Sequence, residues 1–333
     1  TGLHRKRLML DSTWPAPSDP AVASRLPLSR ATAADALPRR ARRLLRSLWS
    51  ARRTRVSAAV VVPIAAVAVG ALALSTVRGE FAAPAMVLGV VLAAAACEFV
   101  DSSLGMGYGT TLTPLLLLAG FEPLEIVPAV LTSECLTGLA AGLMHHRDGN
   151  VDFVRNPRAW QTTLLLLALT LVGAAGAAVL AVHISKFWMT AMIGAIVLGV
   201  GVMILATARR QLRYRPLHIV LLGGLAAFNK GLSGGGYGPL VTGGQGDAGI
   251  SPRQAVAITS LAEGVTCLIG LAVYVLLAGW PAWGLALPLT GGALLTVPLA
   301  TLVVRRLPET GMRRAVGVLT AVLGAVTLGR LLF

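Results

Sequence analysis

A glycine-rich motif occurs twice in this chain, and it constrains the fold more than any other feature. The first copy, from Phe99 to Gly109, reads FVDSSLGMGYG, and the second, from Phe228 to Gly238, reads FNKGLSGGGYG. A single offset of 129 residues places Phe99 on Phe228, Gly105 on Gly234, Gly107 on Gly236, Tyr108 on Tyr237 and Gly109 on Gly238. The same offset pairs Thr113 with Thr242, Glu134 with Glu263 and Thr137 with Thr266. Both copies sit in apolar sequence, where glycines interrupt a helix. Irregular backbone at membrane depth is tolerated only where it lines a cavity or is buried in protein. Matched interruptions in two halves of a membrane chain point to a transporter's binding site.

Composition agrees with the membrane class. The chain is 55% hydrophobic and 13% charged, with a mean hydropathy of +0.75, outside the range of ordinary soluble domains. Segments 58–77, 126–144, 160–182, 188–208, 254–277, 284–304 and 314–333 approach or exceed the length of a spanning helix, roughly 18 residues or more. The formal net charge of +15 raises nucleic-acid binding, but its distribution argues against it. Eight arginines fall between Arg39 and Arg55, and others cluster in the loops around Arg147–Arg158, Arg209–Arg215 and Arg305–Arg314. The alternate loops carry little beyond Arg78 and Lys186. That asymmetry is the positive-inside pattern. It predicts a multi-pass protein of the cell membrane with a cytoplasmic N-terminus and Phe333 near the outer face.

The expected organisation has four parts. Residues 1–57 form a polar, basic cytoplasmic tail with a short interfacial helix over 38–55, and 58–77 form an uncleaved N-terminal transmembrane anchor. Repeats at 85–208 and 217–333 follow. Each repeat reads as a broken pair of helices, spanning or re-entrant, followed by three spans. The pair adds an even number of crossings and three spans make the total odd, so consecutive repeats have opposite orientation. The fold class is therefore an all-α polytopic membrane protein with two inverted-topology repeats and one additional N-terminal helix. Alternating access by rocking one repeat against the other suits such an architecture.

The site residues follow from the breaks. A helix that starts after a break presents free N–H groups and the positive end of its dipole, which favours an anion. The residues expected to bind it are Gly105, Gly107, Gly109 and Thr110 in the first half, with Asn229, Lys230, Gly234, Gly236, Gly238 and Gln245 in the second. Lys230 is one of only three lysines, and an ammonium within a membrane is costly enough to be read as functional. The alternative is a structural pairing with an acid such as Asp101, which the offset places at the equivalent position. Glu134 and Glu263 lie several residues inside matched spans. A carboxyl there needs a partner or a proton, so both, with Asp101, are assigned to proton coupling or gating. A helix-clamping role fits the glutamates equally well.

Other features predict little chemistry. Cys97, Cys135 and Cys267 lie in apolar segments without a CxxC pair, and His145 and His146 point in different directions from a helix. No metal site, cofactor or catalytic residue is expected. The glycine runs are neither Walker loops nor Rossmann turns.

At these residues the chain resembles the sulfite exporter TauE/SafE family. The resemblance is carried by FVDSSLGMGYGTTLTPLLLLAGFEP with AVLTSECLTGLAAGLMHHRDGNVDF, and by FNKGLSGGGYGPLVTGGQ with ISPRQAVAITSLAEG, over about 85–333. It implies movement of small anions, including sulfite and organosulfonates, across the cytoplasmic membrane. The expected partners are such an anion, the bilayer and, as an open option, further copies of the chain; nucleic acid is not among them. An anion channel of the same fold and a non-transporting membrane scaffold are the rival readings.

Overall fold

The computed structural model describes residues 84–207, 216–244, 250–304 and 309–332. The expected tail, the anchor at 58–77 and Gln245 lie outside them. Every helix described belongs to one compact unit.

Ten α-helices follow one another, with no strand among the described residues. In the first half these are α1 (Pro84–Leu104), α2 (Tyr108–Leu118), α3 (Pro123–Arg147), α4 (Pro157–His183) and α5 (Lys186–Thr207). In the second they are α6 (Pro216–Ser233), α7 (Tyr237–Gly244), α8 (Pro252–Ala278), α9 (Trp283–Val303) and α10 (Glu309–Gly329). Six of them are long and apolar enough to cross a membrane: α1, α3, α4, α5, α8 and α9. Five of the six spans expected beyond residue 85 fall on helices of this set; the sixth, 314–333, falls on α10, which is outside it, while α1 joins it, and both breaks fall at the paired glycines.

Local sequence explains the helix starts. Proline opens α3, α4 and α8, where its missing N–H would be unpaired anyway. The Asn156 side chain caps α4 by accepting from the Arg158 and Ala159 N–H groups. A capping box opens α8, with Ser251 accepting from the Gln254 N–H and Gln254 from the Ser251 N–H. Glu122 and Glu125 build the same box at α3, one offset of 129 earlier.

Helix packing respects that offset as well. α5 lies along α10 and α3 along α8, while α1 packs on α9 as α4 packs on α6, and α3 on α9 as α4 on α8. Exchanging α1–α5 for α6–α10 returns the same set of partners. Each half thus lends its first helix to the other half's fourth. α3 and α8 cross closely at glycine, where a methyl on Gly138 would come within 2.8 Å of the Ser260 carbonyl oxygen. Small residues at such a crossing let backbones approach without side-chain interference.

Candidate functional site

Between α1 and α2 the backbone turns through Gly105 at φ 71° and Gly107 at φ 132°; between α6 and α7 it turns through Gly234 at φ 70° and Gly236 at φ 81°. Side chains with a Cβ rarely adopt these values. The Gly105 N–H still donates to the Asp101 carbonyl, at 2.6 Å, and the Gly234 N–H to the Lys230 carbonyl, at 2.9 Å.

Each break frees a carbonyl in the last turn of the helix before it, and a side chain from the end of a neighbouring span takes it up. His145 Nε2 donates to the Ser102 carbonyl at 3.0 Å, and the Tyr274 hydroxyl donates to the Gly231 carbonyl at 3.0 Å. Ser102 and Gly231 are one offset apart, as are His145 and Tyr274. The histidine is held in turn by Asn150, whose Nδ2 donates to His145 Nδ1 at 2.9 Å and to the Thr301 carbonyl at 3.1 Å. The His146–Asp152 loop is therefore a brace for the first break. An unsatisfied buried carbonyl costs about 1–3 kcal/mol, so His145→Ala and Tyr274→Phe should each lower stability by that order, measured by thermal unfolding in detergent.

The breaks meet one another. A methyl on Gly109 would overlap the Gly234 carbonyl oxygen, and one on Gly238 would overlap the Gly105 carbonyl oxygen. Thr242 Oγ1 also donates to the Gly105 carbonyl, at 2.9 Å. Gly105, Gly109, Gly234 and Gly238 therefore lie in one backbone-to-backbone contact, whereas a Cβ at Gly107 or Gly236 would meet side chains.

Beside that contact sits a buried charge cluster. Lys230 is fully buried; its ammonium is hydrogen-bonded to Glu134 of α3 and, at 2.7 Å, to Glu263 of α8. One half thus provides the first carboxylate, and the other provides the second together with the cation. Carboxylate oxygens of Asp101, Glu134 and Glu263 lie within 4.8 Å of one another. Asp101, the position equivalent to Lys230, turns back on its own break and accepts from the Tyr108 N–H at 3.3 Å. It thereby occupies the start of α2, one of the two helix ends expected to receive an anion.

The other expected residues are close by. Asn229 is buried against Gly236. Thr110 is buried, and its hydroxyl has no hydrogen-bond partner; its backbone adjoins Gly235. One oxygen of Glu134 is likewise unpartnered. Glu98 extends the acidic set: it is buried and accepts from Ser102 Oγ. Several hydroxyls serve packing instead. Ser133 pairs with the Tyr108 hydroxyl at 2.7 Å and Thr266 with Thr170 at 2.8 Å.

Asp101, Glu134 and Glu263 also have the donor chemistry of a cation site, and the Lys230 ammonium is bound to the two glutamates among them. On the same loop as the brace, Asp152 is held below the usual carboxylate range, chiefly by the Arg155 backbone N–H.

The profile of the sulfite exporter TauE/SafE family matches residues 90–327. The chain belongs to that family. It is also 29% identical over 245 residues to the probable membrane transporter protein YtnM of Bacillus subtilis (strain 168), an alignment covering 69% of this chain and 79% of that protein. No solved structure matches the chain. Membership and six span-length apolar helices make it a multi-pass membrane protein of a transporter family.

Proposed function

We propose that the protein is a secondary transporter that exports a small, sulfur-containing anion such as sulfite or an organosulfonate by alternating access. The observation that carries this reading is the contact between two matched helix breaks beside Lys230, an ammonium shared by carboxylates from both halves. The swapped packing of α1–α5 and α6–α10 supports an inverted-repeat architecture in which the halves rock about this contact.

The charge cluster supplies the coupling. Lys230 cannot hold an anion while both glutamates hold it. Asp101, Glu134 and Glu263 outnumber the ammonium three to one in a buried setting, and Glu98 adds a fourth buried acid, so protons must balance the excess. A proton delivered to Glu134 or Glu263 releases one contact of Lys230, and the anion takes its place. Asn229, the Thr110 hydroxyl and the N–H groups opening α7 complete its shell. A dianion leaving with one proton still carries a net negative charge outward. The membrane potential then favours export by about 2.3 kcal/mol per charge per 100 mV.

Proteoliposomes loaded with sulfite test the proposal, with the potential set by a potassium gradient and the internal pH varied. Wild-type efflux should rise with an inside-negative potential and respond to pH. Glu134→Gln and Glu263→Gln should each remove the pH response and cut flux by tenfold or more, on the scale of losing a positioned proton-transfer group, about 10²–10⁴-fold. A channel of the same fold would conduct undiminished in both variants. Exclusively inward transport would overturn export. A Lys230→Ala protein that is dead in transport yet fully active in the cell would favour the scaffold reading.

A further inference from the structure

A second, chemically distinct site lies at the far end of α2 from the break. An open cavity of about 530 Å³ lies between the end of α2, the start of α5 and the end of α10; Leu117, Phe121, Phe187 and Leu331 contribute its apolar wall, and Lys186 and Arg330 its cationic groups. Among the described residues, this end of the bundle, comprising 118–125, 183–188, 278–283 and 328–332, contains one lysine and one arginine. Both line the same cavity. That convergence is unexpected if isolated surface charges are simply scattered over an end otherwise poor in them.

The two cations are differently engaged. Arg330 Nη1 donates to the Leu118 carbonyl at 2.9 Å, at the last turn of α2, and the residue lines the cavity. Lys186 is paired with Glu122, both partners being half or more exposed. The cavity lining carries these two cations and no acidic residue; Glu122 and its cap partner Glu125 lie outside it, so a phosphodiester seated in the cavity would compete with Glu122 for Lys186. The wall runs into exposed apolar surface, since Phe187 and its neighbour Trp188 are both exposed. Aromatic side chains at a span end are typical of the membrane interface, and cavities of this size suit ligands larger than an inorganic ion.

We infer that this cavity is a binding site for an anionic phospholipid, with the phosphodiester between Arg330 and Lys186 and an acyl chain along Phe187, Phe121 and Leu331. An inorganic anion would gain nothing from that wall, and a zwitterionic lipid would bring its own cation to a positively charged mouth. The inference is independent of what the central site transports.

The test uses the full chain purified in detergent, with phosphatidylglycerol or phosphatidylcholine added to the micelles, or inorganic phosphate alone. Lipid retention is read by native mass spectrometry and melting temperature by thermal unfolding. Wild type should retain phosphatidylglycerol selectively and melt higher in its presence. The Lys186→Gln/Arg330→Gln double variant should bind it about thirtyfold more weakly, as expected for removing two interfacial cations. Glu122→Gln should change binding in the opposite direction, because it removes the carboxylate that competes for Lys186 while keeping an acceptor at the α3 cap. This second variant keeps the test decisive if the double variant fails to fold. Equal retention of the two lipids, no tightening in Glu122→Gln, or an equal thermal shift from inorganic phosphate would overturn the assignment.

Discussion

Lys230→Met should destabilise the protein more than any other single side-chain truncation in the central site, by about 3–5 kcal/mol, the range found when one partner of a buried ion pair is removed. The reason lies in what remains. Glu134 and Glu263 each lose their ammonium contact, and Asp101 stays within 4.8 Å of their oxygens with no cation among them. The triple variant Lys230→Met/Glu134→Gln/Glu263→Gln should recover most of that loss, because no uncompensated charge is left on the two glutamate positions. Replacing a whole buried ion-pair set by neutral groups is often close to neutral in stability. Transport should remain absent in the triple variant. Melting temperature and sulfite efflux, measured on the same preparations, therefore separate two roles. Recovery of stability without flux assigns the charges to transport, whereas recovery of both would make them scaffold and remove the basis of the proposed coupling. An unchanged melting temperature in the single variant would contradict the pairing itself.

The residues of this cluster are legible in the sequence, but their partnerships are not. A lysine in apolar sequence and two glutamates at one offset identify themselves because each is expensive at its depth. The sequence offers Asp101 as the structural partner of Lys230, since the offset superposes them. In the structure the long lysine side chain reaches across to α3 and α8, whereas the short aspartate folds back onto the N–H of Tyr108. Side-chain length decides between these outcomes, and it operates on distances that only the assembled helices define. The consequence for the anion is direct: the cation is occupied and one helix start is capped by an internal carboxylate, so the central site is less open to an anion than glycine spacing alone suggests.

The brace at the breaks is legible in the sequence through the same offset. His145 reads as unremarkable because adjacent histidines diverge on a helix and suggest no metal. Applying the offset of 129 pairs it with Tyr274, and Ser102 with Gly231; both pairs turn out to be the same hydrogen bond. A donor recurring at equivalent positions in two apolar halves is a signal even when its chemistry differs. The helix ends were more accessible, because glycine at positive φ and proline in a first turn act locally. The exchange of α1 and α6 between halves was not, since it rests on contacts far apart in sequence.

Gly109→Ala and Gly238→Ala should prevent the two halves from assembling, and they distinguish two reasons for glycine in the motif. Neither position has a positive φ; those that do are Gly105, Gly107, Gly234 and Gly236. If the motif existed only to permit the breaks, alanine at 109 or 238 would be tolerated and would even favour the helix that starts there, by about 0.5–1 kcal/mol. The contact geometry predicts the reverse. The added methyl would fall on a backbone carbonyl of the opposite break, and a carbonyl held by its own turn cannot rotate aside as a side chain can. Overpacking a core typically costs about 1–3 kcal/mol, and losses beyond about 4–5 kcal/mol are confined to contacts with no route of relief. Little folded protein should therefore survive size-exclusion chromatography for either variant. Gly89→Ala is the matched control, since a Cβ there meets nothing within 4 Å on the exposed face of α1, and it should fold at least as well as wild type. Full recovery of a folded Gly109→Ala protein would mean that the breaks do not touch, and the alternating-access reading would then lack the pivot on which it turns.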